Sequence, residues 1–173
     1  MMQVPDAALA RPGQPAPGVP ARGLPTPGLI DALAKRLGPR GLLTDAADIA
    51  PFSTDWRRLY QGSSVALLRP AETAELADCV RLCAAAGVAL VPQGGNTSMV
   101  GGAVPLEDGS ALLLSLARMN RVRALDPVDM TLTIEAGATL KAAQEEAAAA
   151  DCLLPLSIAS EGSAQIRARA RRG

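Results

Sequence analysis

The segment Val91-Pro92-Gln93-Gly94-Gly95-Asn96-Thr97-Ser98-Met99-Val100-Gly101-Gly102-Ala103 places four glycines within nine positions. Glycine reaches positive φ without strain and carries no side chain, so backbone N–H groups in such a loop can converge on an anion. The loop holds neither Lys nor Arg. A phosphate bound here would rest on backbone donors, helped by the Asn96 amide and the Thr97 and Ser98 hydroxyls. Two common phosphate motifs are absent. No GxxxxGK followed by Ser or Thr occurs, which excludes a P-loop nucleotidase, and the glycines do not fit G-x-G-x-x-G. On composition alone the segment is either a long surface turn or an anion cradle.

The flanks supply a fold. Immediately upstream, Val88-Ala89-Leu90-Val91 reads as a strand. Before it, Ala74 to Ala86 reads as a helix, with Thr73 as N-cap, Gly87 as terminator and Leu76, Cys79, Val80 and Cys83 as its buried stripe. Val65-Ala66-Leu67-Leu68, ended by Arg69-Pro70, reads as a further buried strand. Strand, helix and strand with short connections form a βαβ unit with parallel strands and a right-handed crossover. Downstream, Ala111–Ser115 reads as a strand. Val122–Leu125 and Thr131–Glu135 flank the turn-forming Asp126-Pro127-Val128-Asp129, which predicts an antiparallel pair. Thr139–Ala150 reads as an Ala-rich helix, and Cys152-Leu153-Leu154 as one more strand. A parallel unit followed by an antiparallel one predicts an α+β domain.

Nearer the N-terminus, Leu29, Ile30, Leu33 and Leu37 repeat at helical spacing until Gly38-Pro39, and Asp45–Ala50 reads as a short helical turn. Residues 1–27 hold seven prolines with Gly13, Gly18 and Gly23 among them, the composition of a disordered leader.

The 173 residues carry 17 Lys+Arg and 17 Asp+Glu, but Arg167, Arg169, Arg171 and Arg172 crowd the last seven positions. Residues 1–166 hold 13 basic and 17 acidic residues, a net charge of −4. No field recruits nucleic acid. The three aromatics, Phe52, Trp56 and Tyr60, lie within nine residues and make no stacking platform for single strands. With no histidine in the chain, His-based triads, His-ligated metals and a flavin tethered through His are excluded. Cys79, Cys83 and Cys152 make no disulfide framework and no metal site, and the first two read as buried apolar side chains. No apolar run approaches the ~18 residues of a membrane span. The N-terminus lacks the apolar core of a signal peptide, so the expected compartment is the cytoplasm.

Taken whole, Pro92-Gln93-Gly94-Gly95-Asn96-Thr97 with Gly101-Gly102 resembles the diphosphate-binding loop of FAD-linked oxidoreductases with a PCMH-type flavin domain. Within them it is most similar to the branch of D-2-hydroxyglutarate dehydrogenase and the related D-lactate dehydrogenase and glycolate oxidase subunit proteins. Asp55-Trp56-Arg57-Arg58, Tyr60-Gln61-Gly62, Ala117-Arg118-Met119-Asn120-Arg121-Val122 and Glu135-Ala136-Gly137-Ala138 match in type and order. Ser157-Ile158-Ala159-Ser160-Glu161-Gly162-Ser163-Ala164-Gln165-Ile166 resembles the start of the second flavin-binding segment. The likeness runs from about Asp48 to Ile166.

The resemblance implies non-covalent FAD as cofactor. It assigns the FAD diphosphate to Pro92, Gln93, Gly94, Gly95, Asn96, Thr97, Ser98, Gly101 and Gly102, and the flavin side to Pro155, Leu156, Ser157, Gly162 and Ser163. Ser98 departs from the family's usual glycine, which tightens the loop or forces a negative φ, and Ala103 stands where a serine is common. For Ser157 and Ser163 a local turn-capping role stays open beside cofactor contact. After Ile166 the family continues with Gly-Gly-Asn, whereas this chain reads Arg167-Ala168-Arg169-Ala170-Arg171-Arg172-Gly173.

The expected organisation is therefore a leader over 1–27, a helical segment over 28–64, a partial flavin domain over 65–166 and a basic, non-family tail over 167–173. In the whole enzyme that the resemblance implies, hydride passes from substrate C2 to flavin N5, and a histidine outside this chain takes the hydroxyl proton. This chain then holds no catalytic residue and is inactive alone. Glu135 and Glu161 are acidic residues near the expected site, but nothing in the sequence pairs or buries them. A stand-alone or split-subunit FAD- or nucleotide-binding module, with a separately encoded C-terminal part, is the alternative.

Overall fold

The computed structural model describes residues 23–166. The leader over residues 1–22 and the basic tail over 167–173 lie outside the described residues. Residues 23–27, grouped with the leader by composition, join the domain instead. Gly23 N–H donates to the Gly87 carbonyl at 2.8 Å, and Thr26 caps the first helix by accepting from Leu29 N–H at 3.3 Å.

That helix, α1, spans Pro27–Leu37, with proline at its first position, where no N–H is needed. It ends at Gly38, whose φ of +66° favours glycine. Strand β1 (Leu42–Leu43) follows, then the short helix α2 (Ala46–Ile49) capped by Asp45, and a 3₁₀ turn over Ala50–Phe52. Strand β2 (Leu67–Leu68), helix α3 (Thr73–Ala85), strand β3 (Ala89–Gln93) and strand β4 (Ala111–Ser115) complete the first half.

These four strands form one sheet in the order β1-β2-β4-β3, with β2 and β3 each parallel to β4 and β1 antiparallel to β2. The expected βαβ unit is present, but its two strands are not neighbours. Strand β4 returns from the glycine loop and inserts between them, and every residue of β4 is buried. Side chains alternate across the strand. Leu112 and Leu114 pack with Leu29 and Leu33 of α1 and Cys79 and Cys83 of α3. Leu113 faces the other way, onto Ile49 and Leu67. Residues 28–64 and 65–115 thus share one sheet and one core.

Three local readings are corrected. Thr73 does not cap α3: the flanking residue is Glu72, and the Ala71 N–H is taken by Glu75 further along, at 2.7 Å. Val80 is exposed, while Leu82 packs into the core in its place. The cause is α1, which lies on the side of α3 carrying Asp78, where Arg36 of α1 pairs with that carboxylate. Cys152-Leu153-Leu154 pairs with no strand among the described residues. Asp151, with φ of +56°, turns the chain out of the preceding helix, and Cys152 N–H caps it by donating to the Ala147 carbonyl.

The second half is the expected antiparallel pair, β5 (Val122–Asp126) with β6 (Thr131–Ile134), followed by α4 (Leu140–Ala149). Asp126 shapes the connecting turn by accepting from the N–H groups of Val128 and Asp129. Thr139, read as the helix's first residue, caps α4 instead, accepting from Ala142 N–H at 3.1 Å. The architecture is α+β. No helix among the described residues is long and apolar enough to cross a membrane.

Candidate functional site

The glycine loop leaves the C-terminal end of β3, the side of a parallel sheet where ligands of α/β proteins gather. Its first polar residue is not free to meet a ligand. Gln93 is buried, and its amide donates to the Phe52 carbonyl at 2.8 Å and the Ala103 carbonyl at 2.9 Å. One side chain therefore ties both ends of the loop together and fastens them to the α2–3₁₀ segment. Its role is to hold the loop's mouth.

Asn96 takes the left-handed conformation at φ +52°, and its amide donates to the Thr54 carbonyl at 2.8 Å. Asparagine is among the few side chains that tolerate this region. Ser98 keeps a negative φ, and its hydroxyl accepts from Val100 N–H, a local turn. Gly101, at φ +70°, lies so close to Tyr60 that an added Cβ would stand 2.7 Å from the ring. Among the described residues the backbone N–H groups of Gly95, Asn96, Thr97 and Ser98 donate to no partner. These four consecutive N–H groups, in a loop with one left-handed residue, are donors available to an anion.

The second predicted segment meets this loop at one place. A Cβ on Gly95 would fall 1.8 Å from the Ser163 carbonyl oxygen and 3.1 Å from Ala164 N. Gly95 is needed for close approach, not for positive φ. Beside it, a Cβ on Gly94 would lie 3.4 Å from Gln165 Oε1. Residues 160–166 are themselves pinned to the start of α4: Leu140 N–H donates to the Ala164 carbonyl, Lys141 N–H to the Glu161 carbonyl and Ile166 N–H to the Ala138 carbonyl. The first N–H groups of α4 are thereby used up and offer nothing to a phosphate.

The structure thus brings Gly94 and Gly95 against Ser163 and Gln165. Pro155, Leu156, Ser157 and Gly162 make no hydrogen bond to the loop among the described residues. Pro92, Gly102, Gly162 and Ser163 are exposed, and a Cβ at Gly162 would meet nothing within 4 Å. Pro155, Leu156 and Ser157 are exposed along α4, where the Leu156 carbonyl accepts from the Gln144 amide. The Ser157 hydroxyl lies 3.3 Å from Glu161 Oε2, and that of Ser163 donates to the Ser160 carbonyl at 3.3 Å, the local role left open for both.

An open groove of about 730 Å³ runs beside Asn96, lined also by Thr54, Trp56, Arg58 and Gln61. Trp56, Arg58 and Gln61 lie in the stretches that match the family in type and order, Thr54 does not, and the clustering of the three aromatics is the one signal the sequence carries for this groove. The segment is shaped by Asp55, which is buried and accepts from the N–H groups of Arg57, Leu59 and Tyr60 at 3.3, 2.7 and 2.8 Å. Burial would raise its carboxyl; the backbone bonds from Tyr60, Leu59 and Arg57 outweigh that and leave it lowered. The constraint puts Arg58 at φ +59°.

Glu135, which the sequence neither paired nor buried, is both. Its carboxylate accepts from Arg121 N–H at 3.0 Å and meets the Arg121 and Arg123 guanidinium groups at 3.1 and 3.0 Å. The backbone N–H and side chain of Arg121, followed by Arg123, hold its pKa down at about 2. It is a fixed anion that joins the β5–β6 hairpin to its flank, unfit to donate a proton. Burial pushes the Cys79 and Cys83 thiols up to about 12 and about 11, so neither is a nucleophile. No three metal-ligating side chains cluster among the described residues.

Comparison with known proteins gives these contacts a context. A family model described as an FAD binding domain matches residues 65–168. The mitochondrial D-2-hydroxyglutarate dehydrogenase of Bos taurus is 38% identical over 135 residues, 78% of this chain and 24% of that protein. A protein named as a mitochondrial D-lactate dehydrogenase in Schizosaccharomyces pombe is 34% identical over 138 residues, 80% of this chain and 24% of that one. The chain spans about a quarter of the length of these relatives. In fold, alkyldihydroxyacetonephosphate synthase superposes with a TM-score of 0.74 at 18% identity, covering 86% of this chain and 30% of its own. p-Cresol methylhydroxylase gives 0.68 at 18% identity, covering 80% and 28%.

Proposed function

The chain belongs to the FAD binding domain family, and from that membership we propose that it holds FAD non-covalently as part of a flavoprotein that oxidises a D-2-hydroxy acid. The observation that carries the reading is the junction at Gly95, where the loop after β3 and the segment before Ile166 touch through backbone alone. A side chain there would part the two walls of the cradle. The free N–H groups of Gly95–Ser98 suit the oxygens of a diphosphate, and the exposed Pro155, Leu156, Ser157, Gly162 and Ser163 are left as the flavin side. FAD, when bound, supplies the hydride acceptor for such an oxidation.

What this chain contributes is positioning. Gln93 fixes the mouth of the loop, Asn96 anchors it to Thr54, and Gly101 lets it close on Tyr60. No residue is assigned as acid or base: Glu135 is neutralised by two arginines, and Glu161 lies beside a hydroxyl rather than a second carboxylate. The substrate class rests on the relatives' names, and proton transfer belongs to the part of such proteins that this chain does not match.

The test is to purify the 173-residue chain, titrate it with FAD by flavin fluorescence, and assay dye reduction with D-2-hydroxyglutarate, D-lactate and glycolate. The proposal expects saturable FAD binding and no reduction with any acid. Dye reduction by the chain alone would contradict the division of labour, and failure to bind FAD would contradict the cofactor. Cell fractionation decides between the cytoplasm, expected from the sequence, and the mitochondrion carried in the relatives' names.

A further inference from the structure

The loop and its neighbour carry two kinds of unused hydrogen-bonding group, and they point to different ligand chemistry. The donors are the N–H groups of Gly95–Ser98. The acceptors are two side-chain oxygens, Asn96 Oδ1 and Gln165 Oε1, both buried without a partner. Buried polar atoms are almost always paired, so two orphans, one on the loop and one on the segment packed against it, call for an explanation. Gln165 is only 7% exposed. Its backbone is held to the start of α4 by the Thr139 bridge and the neighbouring Ile166–Ala138 bond, and its side chain lies over Gly94. The orientation of Asn96 is set by its bond to Thr54, which takes the amide nitrogen and leaves the oxygen over.

A diphosphate does not satisfy these oxygens. At neutral pH its oxygens are acceptors and carry no proton to donate, so phosphate beside an amide oxygen is repelled. A sugar hydroxyl does satisfy them, because it donates while still accepting elsewhere. Resting on the FAD reading above, we propose that Asn96 and Gln165 form a polyol subsite. Their amide oxygens accept hydrogen bonds from sugar hydroxyls of the dinucleotide, ribityl or ribose, while the adjacent N–H groups take the phosphates. Asn96 thereby moves from the diphosphate wall to the sugar, and Gln165 becomes a positioning residue that the sequence did not single out.

The decisive experiment removes the acceptor at Gln165 in two ways and reads FAD affinity by fluorescence titration of the 173-residue chain at pH 8.5. Accepting from a hydroxyl, the site loses FAD affinity by about tenfold or more in Gln165→Met, which fills the same space without an acceptor, and Gln165→Lys, equally without an acceptor, stays weaker than wild type. A phosphate at this position makes Gln165→Lys bind more tightly than wild type, and unchanged affinity in Gln165→Met means that water alone fills the subsite; either result overturns the proposal. Should both variants fail to fold, the wild-type chain decides it by NMR of the Gln165 side-chain amide. Riboflavin or ADP moves that signal, the former marking ribityl and the latter ribose, whereas lumiflavin and inorganic pyrophosphate leave it in place. A shift with pyrophosphate, or with none of the four, overturns the proposal. If wild type binds no FAD at all, the cofactor reading falls and takes this inference with it; if FAD binds and only these responses are missing, the inference falls alone.

Discussion

Strands β4 and β5 have the same length, five residues each, and opposite environments. Every residue of β4 is buried, between helices on one face and the α2–3₁₀ segment on the other; β5 has no fully buried residue. The parallel half of the molecule closes its own core. The hairpin half leaves Val128, Met130 and Leu153 in solvent, at 90%, 71% and 79% exposure. What holds the hairpin is polar: Glu135 against two arginines, and the Asp126 turn. The glycine junction at Gly95 is one place where the loop of the parallel half meets the segment pinned to α4.

The contrast breaks most easily by truncation. Leu113→Ala, in the middle of the parallel sheet, is expected to cost about 3 kcal/mol, as large-to-small changes in packed cores do. Leu132→Ala in half-buried β6 is expected to cost about 1 kcal/mol, since little area is lost. Urea unfolding of the two variants measures both. Equal costs would show that the halves are not differently packed.

A smaller effect sharpens the electrostatic side. The Glu135 carboxyl is lowered from 4.5 to about 2, so its contribution is complete above about pH 4.5 and is lost as pH falls toward 2. Asp55 and Asp78 are lowered too and act in the same sense. The Glu135 share is therefore read as a difference: the melting temperature of wild type should fall more steeply below pH 4.5 than that of Glu135→Gln. Parallel curves would remove Glu135 from the account. Smallest in energy, but simple to read, is thiol labelling. Alkylation of the native chain should modify half-exposed Cys152 well before Cys79 and Cys83, which become reactive only on unfolding. Labelling of all three at one rate would mean that the parallel half is open.

These contrasts were unevenly legible in the sequence. Helix α1, the β5–β6 turn and the existence of α4 were readable because each rests on local chemistry: spacing of leucines, Asp-Pro in a turn, an Ala-rich run. The place of β4 between β2 and β3 was not, because strand order is set by the sheet as a whole. The exposure of Val80 followed from α1 docking along one side of α3, which no single helix reveals. The glycine loop was recognisable as a loop with chemistry, yet its internal roles were hidden. Gln93, which the resemblance assigns to the diphosphate, is a strut in the fold, while Gln165, given no role by the sequence, holds an orphan oxygen. Glu135 could be noted but not paired, because its arginine partners stand 14 and 12 residues away across a hairpin.

The central claim is that the walls of the FAD cradle meet at Gly95. Its most direct test compares Gly95→Val with Gly162→Ala by FAD titration of the 173-residue chain, with hydrogen exchange in β4 confirming that the parallel sheet is intact. A side chain at Gly95 collides with the Ser163 backbone, whereas one at Gly162 meets open space. The account predicts that Gly95→Val loses FAD affinity by about a hundredfold or more while protection in β4 persists, and that Gly162→Ala loses less than about tenfold. Unchanged affinity in Gly95→Val, with β4 still protected, would contradict it.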